Sequence, residues 1–184
     1  MALLLRKRVI LIETEAAYGV DADTETGVDV SGADAVLVTD LSITPQSSDV
    51  VSRNLIRPYL GASQQLLANT KVECTFSVEL AGSGVAGTAP QYGKALKACG
   101  LNEDTATSNT VKYEPVSTSF GSVTIYYLID GVRHKVTGCR GSFSINASVG
   151  EIPTINFSFT GIYVPPTSSA IVCLLYTSDA ADER

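Results

Sequence analysis

The side chains best suited to metal or nucleophilic chemistry are four cysteines, Cys74, Cys99, Cys139 and Cys173, and one histidine, His134. A zinc site needs four soft ligands in close pairs. Here no C-x-x-C occurs, and His134 stands five residues before Cys139 with no second pair to complete a shell. A serine or cysteine nucleophile needs a base within reach, and the single histidine sits between Arg133 and Lys135 beside a turn signal. There is no P-loop, G-x-S-x-G or H-E-x-x-H, and the glycines at 82–87 do not open a helix as G-x-G-x-x-G. The residues thus indicate no catalytic, cofactor or metal site and no enzyme. The cysteines read as reduced, small apolar packing groups rather than a disulfide framework.

Charge is the next informative feature. The 184 residues carry 19 acidic and 13 basic side chains, a net charge of -6, which opposes an electrostatic grip on phosphate backbones. No basic residue lies between Arg8 and Arg53, while Asp21, Asp23, Glu25, Asp29 and Asp34 alternate with glycines and small residues. Residues 1–34 therefore read as an N-terminal acidic arm, solvated and mobile. The opening MALLLRKRVILI has its apolar run before its basic residues, the reverse of a secretory leader. No run approaches the roughly 18 apolar residues of a membrane helix, so no membrane partner and a cytoplasmic protein are expected.

The elements come mainly from period-2 patterning. In residues 71–80, Val72, Cys74, Phe76, Val78 and Leu80 alternate with Lys71, Glu73, Thr75, Ser77 and Glu79, giving a strand with one buried face. Strands are also expected from residue 35, where AVLVTDLSITP is closed by a Pro45 turn, then at 49–56, 111–117, 142–149 and 154–163. Asp130-Gly131 joins 122–129 to 132–137 as a two-residue hairpin, and Gly138 and Gly141 separate that hairpin from the next strand. The one helix is expected over 89–100: Thr88 and Gln91 have capping-box spacing, Gly100 is a stop, and Tyr92, Ala95, Leu96 and Cys99 form an apolar stripe. Residues 57–70 lack alternation and read as a long connection with apolar contacts to make. The sum is a mainly β chain, an antiparallel β-sandwich or barrel-like fold over 35–166 with one flanking helix.

The polar strand faces are rich in Ser, Thr and Asn, as in Ser142, Ser144, Asn146 and Ser148 and then Asn156, Ser158 and Thr160. Edge and face charge is a common device against sheet association, so its scarcity suits a protein that assembles. In this order, LLRKRVILIETEAAYGVD, AVLVTDLSITP, SRNLIRPYLG, VECTFSVELAGSG, APQYGKALKACGL, GSVTIYYLIDGVRHKVTGCRGSFSI and IPTINFSFTGIYVPPT resemble the tail tube (major tail) protein of long-tailed bacteriophages over about residues 3–167.

The resemblance implies a virion structural protein, assembled in the host bacterial cytoplasm. Its subunits join sheet to sheet in rings, and the rings stack with other tail proteins into a tube that DNA traverses without specific binding. On that reading Leu55, Ile56, Tyr59, Leu60, Leu66 and Leu67 are apolar anchors of assembly, and Asp21, Asp23, Glu25, Asp29 and Asp34 are candidates for the lumen or inter-ring contacts. The alternatives are a head-to-tail connector or tail-terminator ring protein, and a carbohydrate-binding β-sandwich adhesin, for which the absence of Trp gives little support. Residues 167–184 read as a truncated C-terminus. Within them, CLLYTSDAADER from Cys173 matches the translation of a transposase mosaic-end sequencing adaptor and is set apart. Without Asp179, Asp182, Glu183 and Arg184 the net charge becomes -4.

Overall fold

The computed structural model describes residues 8–24, 30–53, 55–56, 58, 60–61, 63–105, 109–129 and 131–168. In chain order the strands are β1 (Arg8–Thr14), β2 (Ala35–Val36), β3 (Thr39–Ser52) and β4 (Gln65–Glu79), followed by helix α1 (Gly93–Ala98). Then come β5 (Leu101–Asp104), β6 (Lys112–Pro115), β7 (Val123–Ile129), β8 (Val132–Asn146), β9 (Thr154–Tyr163) and β10 (Thr167–Ser168). The main sheet has the order β2-β1-β7-β8-β9-β4-β3, with β10 on the start of β8, and β5 and β6 pair separately; every pairing is antiparallel.

The main sheet covers one large core, and Leu11, Ala35, Tyr126 and Leu128 form a second, smaller cluster. Ile10 and Ile12 of β1 and Val123 and Ile125 of β7 share a cluster with Val72, Cys74, Phe76 and Val78 of β4 and Ile155, Phe157 and Phe159 of β9. Phe76, Phe157 and Phe159 form its aromatic centre, with ring centroids 5.3–5.8 Å apart. The alternation expected at 71–80 is realised: Val72, Cys74, Phe76 and Val78 are buried. Helix α1 lays Tyr92, Ala95, Leu96 and Ala98 on this core. It is shorter than the 89–100 expected, and its N-cap position is Tyr92, without a side-chain cap. Thr88 is engaged in the preceding loop instead, its N–H donating to the Val85 carbonyl and its own carbonyl accepting from the Ser83 hydroxyl.

Three further expectations are revised. The Gly138–Gly141 break is a bend inside one 15-residue strand, β8, whose first half pairs with β7 and second half with β9 across a register shift at 137–140. Pro45 does not end a strand but sits in the edge strand β3 at an irregularity between Thr44 and Ser47, where a missing N–H costs the sheet nothing. Residues 65–70 are the first part of β4, not connection. The expected hairpin turn is present, with Ile129 opposite Val132 and Gly131 at φ 90°, a conformation that suits glycine.

Candidate functional site

The apolar anchors lie on an arm. From Lys71 onward β4 is held by β9, but its residues 65–68 pair with β3 alone, so the two strands continue beyond the core as a two-stranded ribbon. Asn69 marks the junction with φ 51°, and its side-chain amide donates to Asp49 at 3.0 Å. Along the ribbon Val50 faces Leu67 and Val51 faces Leu66. Successive pairs point to opposite faces, and all four residues are exposed, so both faces of the ribbon are apolar. At its end Leu55 is half-exposed, and Ile56 and Leu60 are exposed at 105% and 104%. Tyr59 lies outside the described residues. Val50 and Val51 join the set only because the register puts them across from leucines.

Asp21, Asp23 and Asp34 have a different setting. The segment around a 3-10 turn at Ala22–Thr24 straps the outer face of β7. Tyr126 donates its phenolic hydrogen to the Asp21 carboxylate and accepts from the Asp23 N–H at 2.9 Å, while the buried Ala22 donates its N–H to the Thr124 hydroxyl. Lys135 pairs with Asp21, and Arg133 with Asp23 at 2.7 Å. Burial works against ionisation of Asp21, but the hydrogen bonds from Lys135 and Tyr126 and the Lys135 charge outweigh it and hold the carboxyl below its usual range. Asp34 follows the same pattern: burial raises it, and Lys94, the Ser31 N–H and Glu13 together lower it by more. The Lys94 ammonium bridges Asp34 at 2.7 Å and Glu13 at 2.5 Å, tying α1 to β1. Glu25 and Asp29 lie outside the described residues. The described part of the acidic arm is thus ordered on the monomer and ion-paired with it, where solvated mobility was expected.

Glu15 was not singled out by sequence. Its carboxylate accepts four hydrogen bonds, from the N–H groups of Gly19 and Gly138 and the hydroxyls of Ser122 and Thr124. The only hint in the sequence is its place directly after β1.

The outer face of β3, β4, β9 and β8 carries a grid of small polar groups. Ser42, Thr75, Ser158 and Ser142 stand in register across the four strands, and Ser77, Asn156 and Ser144 form the next row. The Ser77 hydroxyl donates to Asn156 at 2.7 Å. The nearby charges include Lys71 and Glu73, paired at 2.9 Å. Among the described residues no group of His, Cys, Asp and Glu could hold a metal ion. The thiols of Cys74 and Cys99 are pushed up to about 12 by burial, which leaves them un-ionised and inert near neutral pH. No described helix is long and apolar enough to cross a membrane.

No curated protein matches the sequence. Among solved structures, a chain of the PVC sheath–tube complex of an extracellular contractile injection system, in its extended state, aligns with a TM-score of 0.48 and 9% identity. That alignment covers 91% of this chain and 93% of that one. The tube-terminating cap of the anti-feeding prophage aligns with a TM-score of 0.49 and 11% identity over 92% and 93% of the two chains. The family described as phage tail tube protein matches residues 6–183, a span that runs into the segment set apart at 173–184, itself outside the described residues. With nearly the whole length matched, the chain belongs to the phage tail tube protein family.

Proposed function

We propose that this protein polymerises into stacked rings that form the tail tube of a virion, and that DNA leaves through the tube without being held. The observation that carries the reading is the apolar ribbon of β3 and β4. Val50, Val51, Leu55, Ile56, Leu60, Leu66 and Leu67 are exposed on an arm with no core beneath it. Exposed apolar groups gathered in this way belong to an interface, since burying each contributes roughly 1.5–3 kcal/mol.

The wall that DNA passes is assigned to the hydroxyl and amide grid on β3, β4, β9 and β8. A polyanion is gripped by free Lys and Arg, and this face offers mainly Ser, Thr and Asn, with Lys71 paired to Glu73 and the Arg140 guanidinium engaged by the Phe120 and Gly121 carbonyls. Asp21, Asp23 and Asp34 supply little free negative charge, because each already holds a lysine or arginine. Asp21 and Asp23 serve the subunit as fastenings of the strap, and Asp34 as a fastening of α1. The protein is a structural component with itself and other tail proteins as partners, built in the host cytoplasm.

Negative-stain microscopy of the purified chain tests this. Wild type forms open-ended tubes, whereas Ile56→Asp and Leu66→Asp, both at exposed positions, stay folded by circular dichroism and remain monomers or single rings. Tubes of normal length from both variants, or closed single rings from wild type, would refute the proposal.

A further inference from the structure

We infer that the groove between the start of β3 and the loop leading into α1 receives the ribbon tip of a second copy of this chain. This rests on the stacking reading above and adds the acceptor to it. The groove encloses about 670 Å³ and is walled by Val36, Leu37, Val38, Val78, Pro90 and Tyr92. Its floor is continuous with the core, because Val36, Val78 and Tyr92 belong to the main cluster. Leu37 on its wall is 58% exposed, a large apolar side chain left without cover in the isolated subunit.

Donor and acceptor sit at opposite ends of the same strand pair. Leu37, Val38 and Thr39 line the groove where β3 begins, and Val78 and Glu79 line it where β4 ends. The tip follows the other end of β3 and precedes β4. Fourteen residues of β3 separate the two sites, roughly 45 Å of extended chain. A tip at that distance cannot fold back into its own groove, so its exposed Ile56 and Leu60 can fill only the groove of another molecule.

Charge agrees with this pairing. Residues 50–70 contain Arg53 and Arg57 and no acidic residue. Glu79 lines the groove with no ion-pair partner among the described residues. Contact of one end with the unlike end of the next copy is heterologous. Unlike an isologous contact, it leaves one donor and one acceptor free at each step, so it can be repeated along the strand direction as a stack of open length.

Cysteine cross-linking of full-length chains tests the contact. Ile56→Cys and Leu37→Cys are made in separate chains, mixed, assembled under reducing conditions and then oxidised. A disulfide-linked dimer is expected from the mixture, and not from either variant alone or from Ile56→Cys mixed with Thr167→Cys. Glu79→Arg raises the concentration needed for assembly by about fivefold, and adding Arg53→Glu to the same chain restores it.

Tubes that form while Ile56→Cys ignores Leu37→Cys would overturn the groove assignment and leave stacking intact. A Leu37→Cys bond to Cys173 of its own chain would make the terminal segment the occupant and overturn it too. A wild-type chain that never assembles would remove both readings.

Discussion

The phenolic O–H of Tyr126, on a ring fully buried in the sheet, donates to the carboxylate of Asp21 from 105 positions further along the chain. The same oxygen accepts the Asp23 N–H, so one side chain holds both ends of the strap's turn. Tyr126→Phe keeps the ring's packing and takes one hydrogen bond from each partner, leaving Asp21 its Lys135 pair and the Asp23 N–H its longer 3.3 Å bond to Asp21. A loss of about 1–3 kcal/mol in urea unfolding of the monomer is expected. An unchanged midpoint would show that water replaces the phenol without cost.

Acid should loosen the strap. Asp21 and Asp34 are held below their ordinary range by Lys135 and Lys94, against the opposing effect of burial. A group lowered in the fold binds fewer protons folded than unfolded. The stability it contributes is complete above the unfolded value near 3.9 and is lost as pH falls through the lower folded value. Unfolding free energy should therefore hold between about pH 5 and 7 and drop below pH 4. Asp21→Asn should cost roughly 1–3 kcal/mol at neutral pH and flatten the acid limb. The check is urea unfolding of both proteins across that range.

Glu15 collects four donors from three parts of the chain. Glu15→Ala strands them together, and about 2–4 kcal/mol is expected to be lost. Glu15→Gln keeps the volume and one acceptor oxygen and should lose less. Equal losses in thermal unfolding of the two variants would mean that the charge and not the geometry holds the bend at Gly138.

Gly141 is required by close approach. A Cβ there would stand 2.0 Å from the Ser158 carbonyl oxygen and 2.8 Å from the Phe159 ring. Both belong to the paired strand β9, so nothing yields cheaply. Gly141→Ala is expected to destabilise by more than about 3 kcal/mol or to accumulate insoluble, whereas Gly82→Ala, with open space around it, should be silent. Soluble yield and Tm decide.

The hydroxyl grid makes a prediction about DNA. Ser144→Lys with Ser158→Lys puts two cations on adjacent rows of an exposed face without touching the core. Tubes should still form, but they should now retain DNA in a salt-dependent manner, with log affinity falling at a slope of about -0.9 for each phosphate neutralised. Tubes that ignore DNA as wild type does would move the wall to another face.

Legibility in the sequence follows burial. Where a strand has one face in the core, as in β4 from Val72 and β9 from Ile155, alternation is clean and each buried residue matches its expected parity. Where both faces are wet, as in the ribbon at 65–70, nothing enforces a period of two, and the segment reads as loop until its cross-strand partners are known. The strap failed for a related reason. Its fastenings are Tyr126, Lys135 and Arg133, more than a hundred positions away, so composition shows only the acidic half of each pair. Residues 142–149 alternate as if half-buried, yet Ile145 near the end of β8 and Val149 in the turn beyond it are exposed. Leu66 and Leu67 are legible as apolar groups without a partner, and the groove at the other end of the strand pair is not, since β2, β3, β4 and the loop before α1 each contribute only a few residues to it.

The continuity of β4 also has a mechanical side. Nine of its residues, Lys71 to Glu79, are in register with β9, and the ribbon beyond them runs on along the same strand. A pull on the tip along that direction loads the whole ladder in shear, so its hydrogen bonds resist together. A sideways pull would peel them singly. In the proposed stack, tips docked end to end along this direction would load each subunit along its most resistant axis.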